Sequence, residues 1–451
     1  MLALRRSGSG RRKCARGCAV FVICAAALLT PSAASSLATS APSFAAPKSY
    51  ATGKYPVSVA IADLNGDRKL DVAIANVNGE SVSILLNRGN GRLQPKRDYT
   101  TGSEPESVAI GDLNGDGKPD LATANLDDST VSVLLNRGDG SFRARRDYPA
   151  GFVGFVAIDD LNGDGKPDLA AADWGAGSVS VLTNNGDGTF QPKRNYPAGG
   201  WPVSLAIGDL NGDGRPDVVT ANHDGQSVSV LVNKGGASFA PKHNYASDEP
   251  ESVAIGDLNG DGRPDLAVAN FEDPATVSVF VNQGGGGFHK TRDYATGTGT
   301  RSVAIGDLNG DGRPELATAN LEANTVSVLV NRGGSFDRRL DYGTRRQPVQ
   351  LAIGDLNGDA RPDLVTADGG PDTASVLLNS LGLCAVQKVK GETIPAARQT
   401  LARAHCRVGE IRRVYSKRVR TGRVISQSPG PYKVLSAGGK VNLVVSRGHK
   451  R

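Results

Sequence analysis

Seven nine-residue stretches of this chain carry oxygen-bearing side chains at the same offsets, and those offsets suit a hard cation. The first holds Asp63, Asn65, Asp67, Lys69 and Asp71 at positions 1, 3, 5, 7 and 9. The second repeats it with Asp112, Asn114, Asp116, Lys118 and Asp120, and the third with Asp160, Asn162, Asp164, Lys166 and Asp168. Arginine takes position 7 in the other four. These are Asp209, Asn211, Asp213, Arg215, Asp217; Asp257, Asn259, Asp261, Arg263, Asp265; Asp307, Asn309, Asp311, Arg313, Glu315; and Asp355, Asn357, Asp359, Arg361, Asp363. Calcium takes roughly six to eight oxygens in a forgiving geometry. Carboxylates at positions 1, 5 and 9, the amide at 3 and the backbone carbonyl at 7 supply most of them, and water can complete the shell. Zinc is a poor candidate, because none of the loops contains His or Cys. One such loop alone reads equally well as an Asx-rich turn that binds nothing; seven copies speak for up to seven Ca2+ ions. An EF-hand is excluded by its context, since no Glu stands at position 12 and the flanks are strand-like. Position 6 is glycine except at Arg68 and Ala360, which must carry a turn that glycine adopts freely. The first and seventh sites are therefore expected to be the weakest.

The loops open 49, 48, 49, 48, 50 and 48 residues apart, a period that marks stacked or radial units. Each unit reads as four short strands, which in the second copy are residues 107–110, 120–125, 131–136 and 142–148. The cation loop joins the first two strands and a Gly-rich turn joins the last two. The seventh unit lacks its fourth strand, but residues 44–50 at the other end of the chain look like one. The expected fold is all-β, a seven-bladed β-propeller over residues 44–380, closed by that N-terminal strand. Closure removes exposed sheet edges.

The string V-A-I-G-D-L-N-G-D-G-K/R-P-D-L, followed by V-S-V-L-x-N, resembles FG-GAP (VCBS-type) repeats. That resemblance implies the propeller seen in integrin α subunits and many bacterial surface proteins, with calcium in the loop between the first two strands of a blade. Some seven-bladed fungal lectins are similar to the same repeat and bind amino sugars.

The first 34 residues read as a secretion signal, with Arg5, Arg6, Arg11, Arg12, Lys13 and Arg16 before a short apolar run and a cleavable Ser32-Ala33-Ala34. Residues 35–43 read as a short linker. The protein is expected to be secreted or held at a cell surface. Cys384 and Cys406 are the only cysteines beyond the signal, and an even pair in an exported chain reads as a disulfide. Charge is segregated: residues 47–379 carry 30 Lys/Arg against 44 Asp/Glu, whereas residues 380–451 carry 16 against 2. The basic pI therefore gives no nucleic-acid signal for the propeller, and seven calcium ions would neutralise its net charge.

Residues 381–451 form a different module. A helix is expected over 393–405, with Thr393 as its cap and Pro395 in its first turn, followed by strands over 409–415, 423–428 and 440–445. This segment resembles a PASTA domain in Gly409-Glu-Ile-Arg-Arg-Val-Tyr-Ser416, Val424-Ile-Ser-Gln-Ser-Pro429 and Gly439-Lys-Val-Asn-Leu-Val-Val-Ser-Arg-Gly448. The resemblance implies a small α+β domain and a contact with peptidoglycan or another cell-wall polymer; a plain spacer is the alternative.

The propeller face away from the cation loops carries the irregular residues. Trp174 and Trp201 fall there in adjacent units, with Phe152, Phe155, His223 and Phe271 nearby in sequence pattern. They either pack between blades or form a ligand face for a glycan. Arg137-Gly138-Asp139 occupies a Gly-rich turn and reads as turn chemistry. The five histidines are scattered, and no catalytic motif is visible. Identical carboxylates in every unit suit metal ligation better than catalysis, which needs one asymmetric site. The expectation is a monomeric binding or adhesion module, with an unknown protein or glycan as the partner of the propeller, rather than an enzyme.

Overall fold

The computed structural model describes residues 41–337, 339–380, 384–403, 406–431, 433–435 and 439–449. The signal and most of the linker lie outside the described residues, as does His405 at the end of the expected helix.

Seven antiparallel four-stranded sheets make up residues 48–377. In blade two the strands are Pro105–Gly111, Asp120–Asn125, Thr130–Leu134 and Arg146–Pro149. The second strand of every blade is buried along its whole length. The fourth strands are largely exposed. First strands contact first strands around the ring, and Pro348–Gly354 of blade seven returns to Pro56–Ala62 of blade one. The first strands therefore line a central channel. The apolar core lies between blades: seven separate clusters each draw residues from two neighbouring sheets, such as Ile84 with Val108 and Val133's neighbours with Val156.

The closure strand is where the sequence places it. Lys48–Ala51 pairs with Thr373–Leu377, and Phe44 bridges Asn379. Phe44 packs edge-on against Tyr342 at 5.0 Å, the contact that Phe142 makes with Tyr99 and Phe190 with Tyr148 at other seams of the ring. One expectation needs correction. The fourth strand is continuous only in blade five (Gly287–Ala295); elsewhere its Phe or Leu forms an isolated bridge and the strand proper begins four residues later.

A second seam had no sequence signal. The asparagine ending the third-strand motif donates its side-chain amide to the carbonyl of the leucine at loop position 2 in the preceding blade. Asn136 reaches Leu64 at 2.9 Å, Asn184 reaches Leu113 at 2.9 Å, and Asn233 reaches Leu161 at 2.8 Å. Asn282, Asn331 and Asn379 repeat it, and Asn87 closes the ring on Leu356 at 2.7 Å. All seven side chains are almost fully buried, where a hydrogen-bonding group without a partner is costly.

The C-terminal module packs the helix Ile394–Arg403 on a sheet ordered Arg407–Val414, Lys440–Ser446, Val424–Ser428. Thr393 Oγ1 accepts the backbone N–H of Ala396 at the helix start. Ala397 and Leu401 face Val424, Leu443 and Val445 in the core. A two-residue pair, Cys384–Ala385 with Val434–Leu435, adds strands the sequence did not suggest. Cys406 is buried, while the side chain of Cys384 lies outside the described residues.

Replacing Asn136 by Ala leaves the Leu64 and Pro119 carbonyls without their buried donor. The expected cost is about 1–3 kcal/mol, read as a lower midpoint in equilibrium chemical denaturation. An unchanged midpoint would remove the seam from the account.

Candidate cation loops and channel mouth

The seven loops fold alike. The position-1 carboxylate gathers the backbone N–H groups of its own turn: Asp63 accepts Gly66, Asp67 and Arg68, and Asp160 accepts Gly163, Asp164 and Gly165. The position-3 amide oxygen accepts the N–H of position 5, as Asn114 does from Asp116. Arg68 and Ala360 adopt φ of 66° and 63°, the conformation that glycine holds at this place in the other loops.

Position 9 is different in kind. Asp120 is fully buried, one oxygen accepting Leu113 N–H and the other Asn136 N–H at 2.7 Å. Burial pushes its carboxyl up to about 7, with the neighbouring loop aspartates adding to the rise and the two backbone donors opposing it. Asp71 is raised to about 6, and Asp168 and Asp363 to about 7, for the same reason. Such a group lacks a counter-charge. In the sixth loop the longer Glu315 takes the side-chain amide of Asn309 at 2.8 Å and holds Asn331 N–H at 3.4 Å.

The position-7 side chains have a role the sequence reading missed. Each loop turns its Lys or Arg back onto its own position-5 carboxylate. Lys118 lies 3.2 Å from Asp116 and Lys69 lies 3.0 Å from Asp67. Among the described residues no group of three or more His, Cys, Asp or Glu side chains is arranged as a ready metal site. The physical reason is visible: position 5 faces its own cation and position 9 faces backbone donors. The donor set still fits a hard cation, with a desolvated carboxyl at 9, an amide oxygen at 3 and carboxylates at 1 and 5 that the Lys or Arg only partly neutralises. The turn chemistry expected for Arg137-Gly138-Asp139 is present: Gly138 has φ of 95°, and Asp139 accepts both Ser141 N–H and Ser141 O–H.

At the opposite end of the blades the register slips once in every first strand, between the residues flanking Val57, Glu106, Gly154, Val203, Glu251, Arg301 and Val349. A bulge leaves one residue unpaired and re-aims its side chain. All seven of these residues line a cavity of about 430 Å³ at the mouth of the channel. Three are valines and one is glycine; the charged three break the symmetry. Arg301 meets Glu251 at 2.9 Å and lies over the Phe271 ring at 4.9 Å. His223 Nδ1 sits 3.2 Å from the other Glu251 oxygen, an ion pair when the imidazole is protonated. Burial pushes the Glu106 carboxyl up to about 7, Glu104 adding to the rise and Arg301 opposing it.

The structure brings Trp174 and Trp201 together, 5.8 Å between ring centroids, on the wall of this cavity. Trp201 is 44% exposed, so it is not buried in a seam between blades. Phe152 flanks Trp174 at 6.1 Å and is 43% exposed. Phe155, His223 and Phe271 also line the cavity. Gly154 makes the arrangement possible, since a Cβ there would stand 2.0 Å from the Trp174 ring.

Known proteins place these features. Six stretches, residues 63–123, 112–159, 160–220, 209–268, 257–318 and 307–366, match the FG-GAP-like repeat, and residues 385–447 match the PASTA domain. Fold and loops together define a repeat-built propeller carrying a small C-terminal domain. The chain belongs to the FG-GAP-like repeat family. Among solved structures it is similar to BBS1N, crystallised in complex with ARL6DN, at 13% identity over 74% of this chain and 96% of that one, with a TM-score of 0.54. It is also similar to an Agrocybe aegerita lectin that recognises non-reducing terminal N-acetylglucosamine, at 22% identity over 70% and 86%, with a TM-score of 0.49. At 13% identity the likeness to BBS1N speaks for the fold alone.

If these loops take calcium, each position-7 cation would compete with it for a carboxylate, and the triple variant Lys69→Ala, Lys118→Ala, Lys166→Ala is expected to bind calcium about two- to fivefold more tightly in calorimetric titration, the range of an exposed ion pair. Unchanged or weaker binding would contradict the competition.

Proposed function

We propose that this protein is an exported binding module of a bacterial cell surface, its propeller holding up to seven calcium ions and its PASTA domain contacting peptidoglycan or another wall polymer. The observation that carries the reading is the union of a PASTA domain at residues 385–447 with a propeller whose seven near-identical loops leave one asymmetric surface, the channel mouth. Repetition suits structural cation sites, and asymmetry suits recognition of a single partner. The proposal is a binder and not an enzyme, since the carboxylates recur in every blade without a nucleophile or base beside them.

The charge distribution supports the division of labour. The acidic propeller gains neutrality from calcium, and the basic tail, with 16 Lys/Arg against 2 acids, is drawn to polyanionic wall polymers. The tail core shares no residue with the clusters between blades, so the two parts bury their apolar residues separately. Calcium loops of modest affinity suit an exported protein, because calcium is abundant outside cells, where such sites fill.

Purified sacculi should sediment the full-length chain in calcium, while a chain ending at Asn379 stays in the supernatant. A full-length chain that never pellets contradicts the wall contact. Pelleting of the shortened chain as well would move the wall contact from the tail to the propeller.

A further inference from the structure

The channel mouth holds more unmet hydrogen-bonding capacity than the rest of the propeller end explains. The indole N–H of Trp174 and the Nε–H of Arg301 are buried without partners among the described residues. Glu106 lines the same cavity and receives no described hydrogen bond or ion pair. Two donors and one carboxylate acceptor therefore converge on a cavity of about 430 Å³, within the size range of small-molecule sites. Glu106 sits in blade two and Arg301 in blade six, three blades apart one way round the ring and four the other, so they face the cavity from different sides of the channel. The other bulge positions offer only valine, glycine or the Glu251 that Arg301 already engages. Repeated occupancy around the ring has no basis in these residues.

The wall next to these groups is aromatic and open. Trp201 presents an exposed ring beside Trp174, held by a backbone at φ of 51°, a conformation a bulky side chain rarely adopts. A flat apolar surface of this kind receives ring C–H faces. The nearby charges are Glu106, Asp224, Glu249 and Glu251 against the single Arg301, which disfavours anionic ligands. A ligand that must accept from two donors, donate to a carboxylate, stack on tryptophan and avoid negative charge has the chemistry of a hydroxyl-rich ring.

We propose that the channel mouth is a single saccharide site per chain for neutral or amine-bearing sugars, with Trp201 and Trp174 stacking on one ring and Glu106, Arg301 and the Trp174 indole N–H reading its hydroxyls. The proposal deepens the binding-module reading and rests on it.

The chain contains two tryptophans, and both are in this site, so tryptophan emission reports on the mouth and is blind to the tail. The full-length protein is titrated with neutral mono- to tetrasaccharides, glucosamine, glucuronate and free lysine while emission is recorded, and sacculus sedimentation is run in parallel. At least one neutral or amine-bearing sugar should shift the emission saturably at one per chain, and glucuronate should not. Trp201→Ala, followed through the remaining Trp174, and Glu106→Gln should each weaken the binding by about tenfold. Gly154→Val, which drives a side chain into the Trp174 ring, should do the same. No response to any sugar, a response to lysine alone, or wild-type affinity in both Trp201→Ala and Glu106→Gln overturns the proposal. If the chain still pellets with sacculi while emission never moves, the mouth proposal falls and the binding module stands; if neither signal appears, both fall.

Discussion

The ring depends on one repeated chain of buried hydrogen bonds. Within a blade, the position-9 carboxylate ties the start of the cation loop to the third-strand asparagine through two backbone N–H groups. Across the seam, that asparagine's amide reaches the loop carbonyl of the preceding blade. Seven such links run around the molecule and meet at Asn87 and Leu356. Each loop is thus mechanically part of two blades. Anything that orders or neutralises a loop acts on the seams as well, because a half-satisfied buried network is the costly state.

This arrangement explains why so acidic a propeller can close. The position-9 carboxyls are desolvated and crowded by the aspartates at positions 1 and 5, which burial and repulsion both oppose. The Lys or Arg at position 7 relieves position 5 at the surface, but such exposed pairs contribute little. A divalent ion, under the calcium proposal, would supply the missing charge at each loop and stiffen the seam it borders. The same scaffold leaves its other end free to vary, and only there do the blades depart from one another in chemistry.

Much of this was legible in the sequence because it is local. The alternation and turn residues of blade two mark its strands to within a few residues, and Phe44 with Tyr50 betrays the closing strand by likeness to Phe239 with Tyr245. What was not legible is what depends on a partner far along the chain. The Asn136 amide finds Leu64 some 72 residues away, and Arg301 finds Glu251 across a seam. The bulges also escaped, since one extra residue in a strand leaves the apolar pattern nearly unchanged while turning Glu106 and Gly154 into the channel. The pairing of Lys118 with Asp116 was hidden because position 7 matters to a cation only through its carbonyl.

The central claim is that cation loops and seams form one energetic unit. The direct test is thermal unfolding of the full-length protein in calcium and in EDTA, followed by circular dichroism. The account predicts a cooperative propeller transition that falls by about 10 °C or more on chelation and returns when calcium is restored, as expected when a ligand binds only the folded state. Superimposable melts in calcium and in EDTA would contradict it.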